Sequence, residues 1–123
     1  MLEVRNLHVF YGGIHALKSV TLELSQGEIV TLIGSNGAGK STTLMSISGI
    51  VPPRSGEIIF QGTPIQGMSP DVIFSLGIVQ VPEGRRIFPQ LSVVENLHMG
   101  AYLRKDRHGI RDDIDYVFGI FPR

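Results

Sequence analysis

The sequence has no cysteine, no long apolar run and no excess charge of either sign. Without cysteine it can form neither a disulfide framework nor a thiolate metal site, which fits a reducing compartment. Eleven basic side chains balance eleven acidic ones, so charge does not predict nucleic acid or an anionic membrane surface as a partner. No stretch approaches the roughly 18 uninterrupted apolar residues of a membrane span. The alternating, partly acidic start, Met-Leu-Glu-Val-Arg, is not typical of a signal peptide.

What the sequence does contain suits one domain with one hydrophobic core, because it is 123 residues long. Hydrophobic residues make up 42% of the chain and charged residues 18%, a balance that excludes a disordered polymer. Fifteen glycines are the unusual feature of the composition, and three of them fall together at 34, 37 and 39. The loop that contains these three glycines is therefore the first candidate for a functional site.

Alternating and continuous apolar stretches predict five strands. Apolar residues alternate with polar ones over 2–9 and 20–24, which predicts two half-buried strands separated by the break at Tyr11-Gly12-Gly13. A further strand is predicted over 57–60. The uncharged runs 29–33 and 78–81 are typical of strands buried on both faces of a parallel sheet.

Helical spacing and capping residues predict four helices. The first follows the glycine-rich loop over 40–50. A short one is expected over 70–77, because Ser69 can cap it, Pro70 takes the first helical position and Asp71 puts an acid in the first turn. Ser92 begins a capping box that should open a helix running to about residue 105, and apolar residues fall on one helical face over 110–121. The order of elements predicts an α/β protein whose second half is helical.

Residues 34–41, Gly-Ser-Asn-Gly-Ala-Gly-Lys-Ser, match the phosphate-loop pattern G-x-x-x-x-G-K-[ST] in full. Glycines let the backbone N–H groups surround phosphate oxygens, and the following helix directs its positive end at the anion. Lys40 adds a positive charge for the outer phosphates, and the Ser41 hydroxyl can ligate Mg²⁺. The alternative is a chance glycine-rich turn, which the predicted strand before the loop and helix after it disfavour.

The loop and its neighbours resemble the ATPases of ABC transporters. The loop core, 35–42, closely resembles their Walker A sequence, and 24–28 resembles the turn that precedes it. Segments 53–58 and 60–62 resemble the hairpin that follows, and 81–97 resembles the Q-loop with its helix. The phrase Val-Pro-Glu-Gly-Arg-Arg at 81–86 is similar, more particularly, to the smaller ATPase of branched-chain amino-acid uptake systems.

The resemblance implies a P-loop NTPase core of the ABC ATPase type, with an antiparallel β subdomain and the start of a helical subdomain. It assigns 1–82 to the core with its β subdomain and 83–123 to the Q-loop region and the helical part. The implied function is the ATP-binding subunit of an importer for branched-chain amino acids. Such a subunit is cytoplasmic and peripheral on the inner face of the membrane. The implied partners are a second ATPase subunit and a membrane-spanning permease, which would contact the region of Ile87, Phe88 and Leu91.

The resemblance also implies the site residues and the cofactors, ATP and Mg²⁺. Tyr11 takes the place of an adenine-stacking aromatic, for which the alternative is a hairpin aromatic that covers the sheet. The implied nucleotide-binding residues are Tyr11, Gly34, Ser35, Asn36, Gly37, Ala38, Gly39, Lys40, Ser41 and Thr42. The implied metal ligands are Ser41 and Glu83. Glu83 stands at the Q-loop position where the family usually has Gln, and Gln80 is the second candidate for that role.

The family's signature sequence, Walker B carboxylates and switch histidine find no counterpart before Arg123, so no catalytic residue is predicted in this chain. We therefore expect a truncated ATPase fold that does not hydrolyse ATP alone, and that is poorly soluble or associates irregularly. The alternatives are a non-hydrolysing nucleotide-binding fragment or remnant, a soluble P-loop kinase or GTPase, and a DNA-repair or translation ATPase. No N-K-x-D guanine motif supports a GTPase. His8, His15, His98 and His108 are interpreted as surface or packing residues.

Overall fold

The computed structural model describes residues 1–34, 39–84 and 86–122. The chain divides into two compact units, Met1–Gln80 and Val81–Arg123. The first unit contains a four-stranded antiparallel sheet and two helices, and the second contains two helices. Among the described residues, no helix has the length and hydropathy needed to cross a membrane.

The sheet of the first unit has the strand order β2-β1-β3-β4, and each strand is antiparallel to its neighbours. Its strands are β1 (Leu2–Tyr11), β2 (Ile14–Leu24), β3 (Ser55–Phe60) and β4 (Thr63–Pro64). The central strand β1 pairs with β2 on one side and β3 on the other, so that Val4 lies opposite both Leu22 and Ile58. The three strands predicted over 2–9, 20–24 and 57–60 are confirmed, and each extends further than its pattern indicated.

A bulge in β1 keeps its apolar side chains on one face. Val4 and Leu7 are three residues apart, yet both are fully buried, because the register shifts between them and Asn6 has a φ of 49°. The extra residue restores the alternation, so that Leu7 and Val9 continue the buried row that Val4 begins. The core lies on this face of the sheet. It consists of Leu2, Val4, Leu7, Val9, Leu17, Ile47, Ile58, Ile65 and Ile73.

The helices of the first unit, α1 (Lys40–Ile47) and α2 (Pro70–Ser75), begin where the sequence predicts. α1 follows Gly39 and buries Ile47 in the core. Ser69 occupies the N-cap of α2 with extended backbone angles, and Pro70 takes the first turn, where a missing N–H costs nothing. Ile73 anchors this short helix in the core.

The second unit contains α3 (Val93–Gly100) and α4 (Arg107–Ile120). The capping box predicted at Ser92 is confirmed. The Ser92 hydroxyl accepts from the Glu95 N–H at 3.2 Å, and the Ser92 N–H donates to the Glu95 carboxylate at 2.9 Å. The predicted end of this helix near residue 105 is wrong. A turn follows Gly100, and Arg104 instead pairs with Asp106 and with Asp113 of α4.

The two buried parallel strands predicted over 29–33 and 78–81 are wrong. Neither segment belongs to a strand, and Ile29 and Ile33 are each 92% exposed, while Val81 is 88% exposed. A strand requires a neighbour for its N–H and C=O groups, and no described segment of this chain pairs with either run. Apolar composition alone therefore did not produce a strand in these segments.

Candidate nucleotide-binding site

The first helix begins at a glycine whose conformation and surroundings both exclude a side chain. Gly39 has a φ of +93°, in the left-handed region, and is the N-cap of α1. A Cβ at this position would lie 2.5 Å from Cδ2 of Leu17, a buried residue of β2. The backbone at the start of α1 therefore packs against the Leu17 side chain of the β1–β2 hairpin, in a left-handed conformation that favours glycine.

Lys40 lies at the start of α1 and reaches back to the beginning of the phosphate loop. Its Nζ donates a hydrogen bond to the backbone carbonyl of Gly34, six residues earlier. The ammonium group thus lies beside Gly34, and Lys40 is half-buried. The predicted binding residues Ser35, Asn36, Gly37 and Ala38 lie outside the described residues.

The three hydroxyl side chains at the start of α1 have different surroundings. The Thr43 hydroxyl donates to the Gly39 carbonyl at 2.8 Å, within the helix. The Thr42 hydroxyl lies 3.2 Å from the Tyr11 hydroxyl, in a buried position. Ser41 is exposed, and within the described part of the chain its hydroxyl makes no hydrogen bond. Of the three, the Ser41 hydroxyl is the one available to ligate a cation.

Tyr11 is the last residue of β1, and the structure brings it to the first turn of α1. It pairs with Ile14 across the Gly12-Gly13 turn, where Gly12 has a φ of +59°. Its side chain is 43% exposed, while its hydroxyl faces Thr42. The predicted aromatic and the predicted phosphate-binding helix therefore meet, although they are far apart in sequence.

Gln80 does not lie near Ser41. The Ser48 hydroxyl donates to the Gln80 side-chain oxygen at 2.6 Å, and Ser48 is the C-cap of α1. Seven residues of helix separate Ser48 from Ser41, a rise of about 10 Å. This contact gives no support to Gln80 as a ligand of the same cation.

Glu83 is exposed, in a turn of the second unit, and its backbone carbonyl accepts from Arg86 Nε at 3.3 Å. Its assignment to the Q-loop role stays a prediction. Within the described ranges, no three His, Asp or Glu side chains cluster in a way that could hold a metal ion.

The side chain of Asn96 hydrogen-bonds to the backbone of the predicted partner-contact region, 87–91, and so fixes its conformation. The sequence did not point to this residue. The Asn96 side-chain oxygen accepts from the Phe88 N–H at 2.9 Å. Its amide group donates to the carbonyls of Phe88, Leu91 and Ser92. Ile87 and Phe88 are exposed beside this network. An asparagine in the first turn of a helix, shortly after a proline-containing turn, is the signal that could have identified it.

Two of the histidines form a contact that the sequence did not predict. His8 Nδ1 and His15 Nε2 lie 3.0 Å apart, and the His15 ring stacks on Phe10. The Arg54 guanidinium lies over the Phe10 ring, with its Cζ 3.9 Å from the ring centroid. Desolvation lowers the pKa of His15, and the charges of His8, Lys18 and Arg54 lower it further.

Known proteins are similar to this chain over most of its length. A family model described as "ABC transporter" matches residues 17–118. The high-affinity branched-chain amino acid transport ATP-binding protein BraG of Pseudomonas aeruginosa is 44% identical over 123 residues, which are 100% of this chain and 52% of that protein. The probable branched-chain amino acid transport ATP-binding protein LivF of Archaeoglobus fulgidus is 34% identical over 99% of this chain and 51% of its own length.

Sugar importers also match. The ribose import ATP-binding protein RbsA 2 of Rhizobium meliloti is 39% identical over 85% of this chain and 20% of its own length. The chain spans about half the length of the two amino-acid transport proteins and a fifth of the ribose protein. The relatives therefore agree on the class of protein and differ in the transported solute.

Two solved structures share the fold. CbiO1 from Clostridium perfringens, part of the ABC transporter complex cbiONQ, superposes with a TM-score of 0.73 at 34% identity, over 96% of this chain and 49% of its own. The ATP-binding cassette MJ0796, in a dimeric post-hydrolysis state bound to ADP and Pi, superposes with a TM-score of 0.73 at 26% identity, over 86% and 49%.

Proposed function

Because this chain belongs to the ABC transporter family, which matches it over residues 17–118, we propose that it forms part of the ATP-binding subunit of an ABC importer. Membership confirms the family and the fold class that the sequence predicted, a P-loop ABC ATPase core with an antiparallel β subdomain and helices. We assign residues 1–82 to the nucleotide-binding core and 83–123 to the Q-loop region and the beginning of the helical subdomain.

The observation that carries the proposal is the start of α1. The Gly39 N-cap makes no side-chain capping hydrogen bond, so the N–H groups of the first turn are not satisfied by a cap. Lys40 adds its positive charge at the same end of the helix. Uncapped N–H groups, the positive end of the helix and an ammonium group together favour an anion. The triphosphate of ATP is the anion proposed for this position.

A magnesium ion bound with ATP would be held by the exposed Ser41 hydroxyl, and the resemblance assigns Glu83 as a second ligand. The hydroxyl fits because it is exposed, and because Thr42 and Thr43 bond to Tyr11 and Gly39 while Ser41 bonds to none of the residues described. When bound, Mg²⁺ would neutralise charge on the outer phosphates. Tyr11 would stack on the adenine ring at the other side of the nucleotide. No residue of this chain is assigned a catalytic role.

We propose branched-chain amino acids as the transported solute. BraG and LivF match essentially the whole chain, whereas the ribose protein matches a smaller part of it. The phrase at 81–86 supports the same choice. A complex reconstituted from the full-length subunit and its permease should transport leucine or isoleucine. Transport of ribose but not of these amino acids would contradict the proposal.

The proposed partners are a second ATPase subunit and a membrane permease, which places the subunit on the cytoplasmic face of the membrane. The permease would contact the exposed Ile87 and Phe88 and the half-buried Leu91, in the turn that Asn96 fixes. Apolar side chains exposed next to one another on a fixed turn are suited to contact with another protein.

The proposed nucleotide site is tested by Lys40→Ala in the full-length protein. Loss of the ammonium group should weaken ATP binding by at least about tenfold, because a charge-assisted contact to phosphate is lost. Isothermal titration calorimetry with Mg²⁺-ATP measures the change. Lys18→Ala, which removes an exposed lysine of β2, is the matched control and should bind as the parent does. Equal affinity of Lys40→Ala and parent would rule out this site.

ATP turnover in the same samples separates the proposed transport ATPase from a nucleotide-binding protein that does not hydrolyse ATP. Binding with turnover that depends on Lys40 supports the ATPase. Binding without turnover in the full-length protein supports the alternative. Preference for GTP over ATP in competition would favour another class of P-loop NTPase.

A further inference from the structure

The contact between Tyr11 and Thr42 joins the two halves of the proposed nucleotide site. Their hydroxyl groups lie 3.2 Å apart, and either can donate. The Tyr11 ring is partly exposed, as a surface for stacking must be, whereas Thr42 is 9% exposed. One end of the tyrosine side chain thus faces solvent, and the other end is tied to the helix that begins at the phosphate loop.

The Thr42 hydroxyl depends on this partner. A buried hydroxyl that loses its hydrogen bond carries a desolvation penalty, so it rotates to another acceptor where one exists. The adjacent Thr43 shows the usual choice, because its hydroxyl donates to the backbone carbonyl of Gly39 within the helix. Among the described residues, the Thr42 hydroxyl instead contacts Tyr11 at the end of β1, so this contact bears on how its side chain sits in the first turn of α1.

A second contact also holds the start of α1 against the β1–β2 hairpin. Gly39 packs on Leu17 of β2 with no room for a Cβ, while Thr42 bonds to Tyr11 at the end of β1. The helix start is therefore fixed against both strands of the hairpin. A change at the Tyr11 hydroxyl should reach the N–H groups of the first turn, which lie between these two contacts.

We infer that Tyr11 is a positioning residue for phosphate as well as a stacking surface for the base, acting through the hydrogen bond of its hydroxyl to Thr42. This inference rests on the proposed nucleotide function. It assigns to the hydroxyl an effect on the phosphate part of the ligand, which the ring alone would not have. A ligand that has phosphates and no base distinguishes the two effects.

Tyr11→Phe keeps the ring and removes the hydroxyl, so it is the test variant. In the full-length protein, the Kd for inorganic tripolyphosphate should rise about three- to tenfold, the range for loss of one hydrogen bond with a buried partner. Isothermal titration calorimetry measures it. Tyr116→Phe, at an exposed tyrosine of α4, is the matched control and should change nothing. An unchanged Kd for tripolyphosphate in Tyr11→Phe would overturn the inference.

A double-mutant cycle identifies the partner. In a Thr42→Val background the hydroxyl contact is already absent, so Tyr11→Phe should change the Kd by less than about twofold. In a Thr42→Ser background, which keeps a hydroxyl, Tyr11→Phe should have its full effect. Equal effects of Tyr11→Phe in the valine and serine backgrounds would show that Thr42 does not carry the coupling.

A measurement on the unsubstituted protein avoids any folding defect of the variants. Tripolyphosphate should shift the NMR signals of the Tyr11 ring, although it has no base to stack there, and an unshifted ring would count against the inference.

The two proposals fail differently. A parent protein that binds neither ATP nor tripolyphosphate contradicts the proposed function. Binding that ignores the Tyr11 hydroxyl overturns the positioning role alone.

Discussion

At the scale of single residues, contacts across the hairpin change the chemistry of side chains that look ordinary in the sequence. His15 illustrates this, because it hydrogen-bonds to His8 and stacks on Phe10. The hydrogen bond between the two rings needs at least one unprotonated nitrogen. The cationic groups of Lys18 and Arg54 also oppose protonation. The pair is therefore arranged to favour neutral His15.

The lowered pKa of His15 predicts a dependence of stability on pH. The unfolded chain binds a proton at this residue more readily than the folded chain does, so stability should rise with pH. The free energy of unfolding that depends on neutral His15 is fully present above the pKa of the unfolded chain, near 6.5, and is lost as the pH falls below that value. Urea denaturation at pH 7.5 and 5.5 measures the loss. His15→Gln should lose less stability on acidification than the parent, whereas His108→Gln should match the parent. An identical loss in His15→Gln and parent would exclude this role.

At the scale of elements, α3 shows how a local capping motif fixes where a helix begins but not where it ends. The capping box joins side chain and backbone over three residues, so the sequence predicted the start of α3 correctly. Its end came five residues before the predicted position, since the chain turns after Gly100, and Arg104 pairs with Asp106 and Asp113. Hydrogen bonds from Ser92 also lower the pKa of Glu95, which keeps that carboxylate charged at the start of the helix.

Ser92→Ala should destabilise the start of α3 by about 1 kcal/mol, the usual effect of losing a side-chain N-cap. The expected signature is faster amide hydrogen exchange at Glu95, whose N–H donates to the Ser92 hydroxyl. Ser69→Ala is the matched control, because Ser69 occupies the N-cap of α2 without a side-chain capping bond and should have a smaller effect. Unchanged exchange at Glu95 in Ser92→Ala would show that the capping bond does not stabilise the helix.

At the scale of the whole molecule, the apolar segment before the phosphate loop pairs with no strand among the described residues. Ile29 and Ile33 are almost fully exposed, and Val30 and Leu32 are also exposed. A β-branched, uncharged run of this kind pairs readily with another copy of itself. Its exposure fits the expectation that the 123-residue chain associates irregularly, which stays a prediction.

Replacing both Ile29 and Ile33 by Thr should reduce self-association of the 123-residue polypeptide. Light scattering after size exclusion, over a concentration series, measures the mean mass. The double variant should keep a lower mean mass than the parent at high concentration, because its segment is less apolar. Ile14→Thr is the control, since Ile14 is also exposed but lies within the paired hairpin. Equal masses for the double variant and the parent would exclude this segment as the cause.

The sequence by itself determined what depends on neighbours along the chain: the phosphate-loop motif, the capping box at Ser92, the start of α2 and the resemblance to ABC ATPases. The tertiary structure decided what depends on partners far along the chain. It brought Tyr11 to Thr42 and His8 to His15, and among the segments described it gave 29–33 no neighbouring strand. Local motifs are set by covalent spacing. A hydrogen bond across the fold, or a strand in a sheet, needs a second segment in the right place, and its position follows from the path of the whole chain.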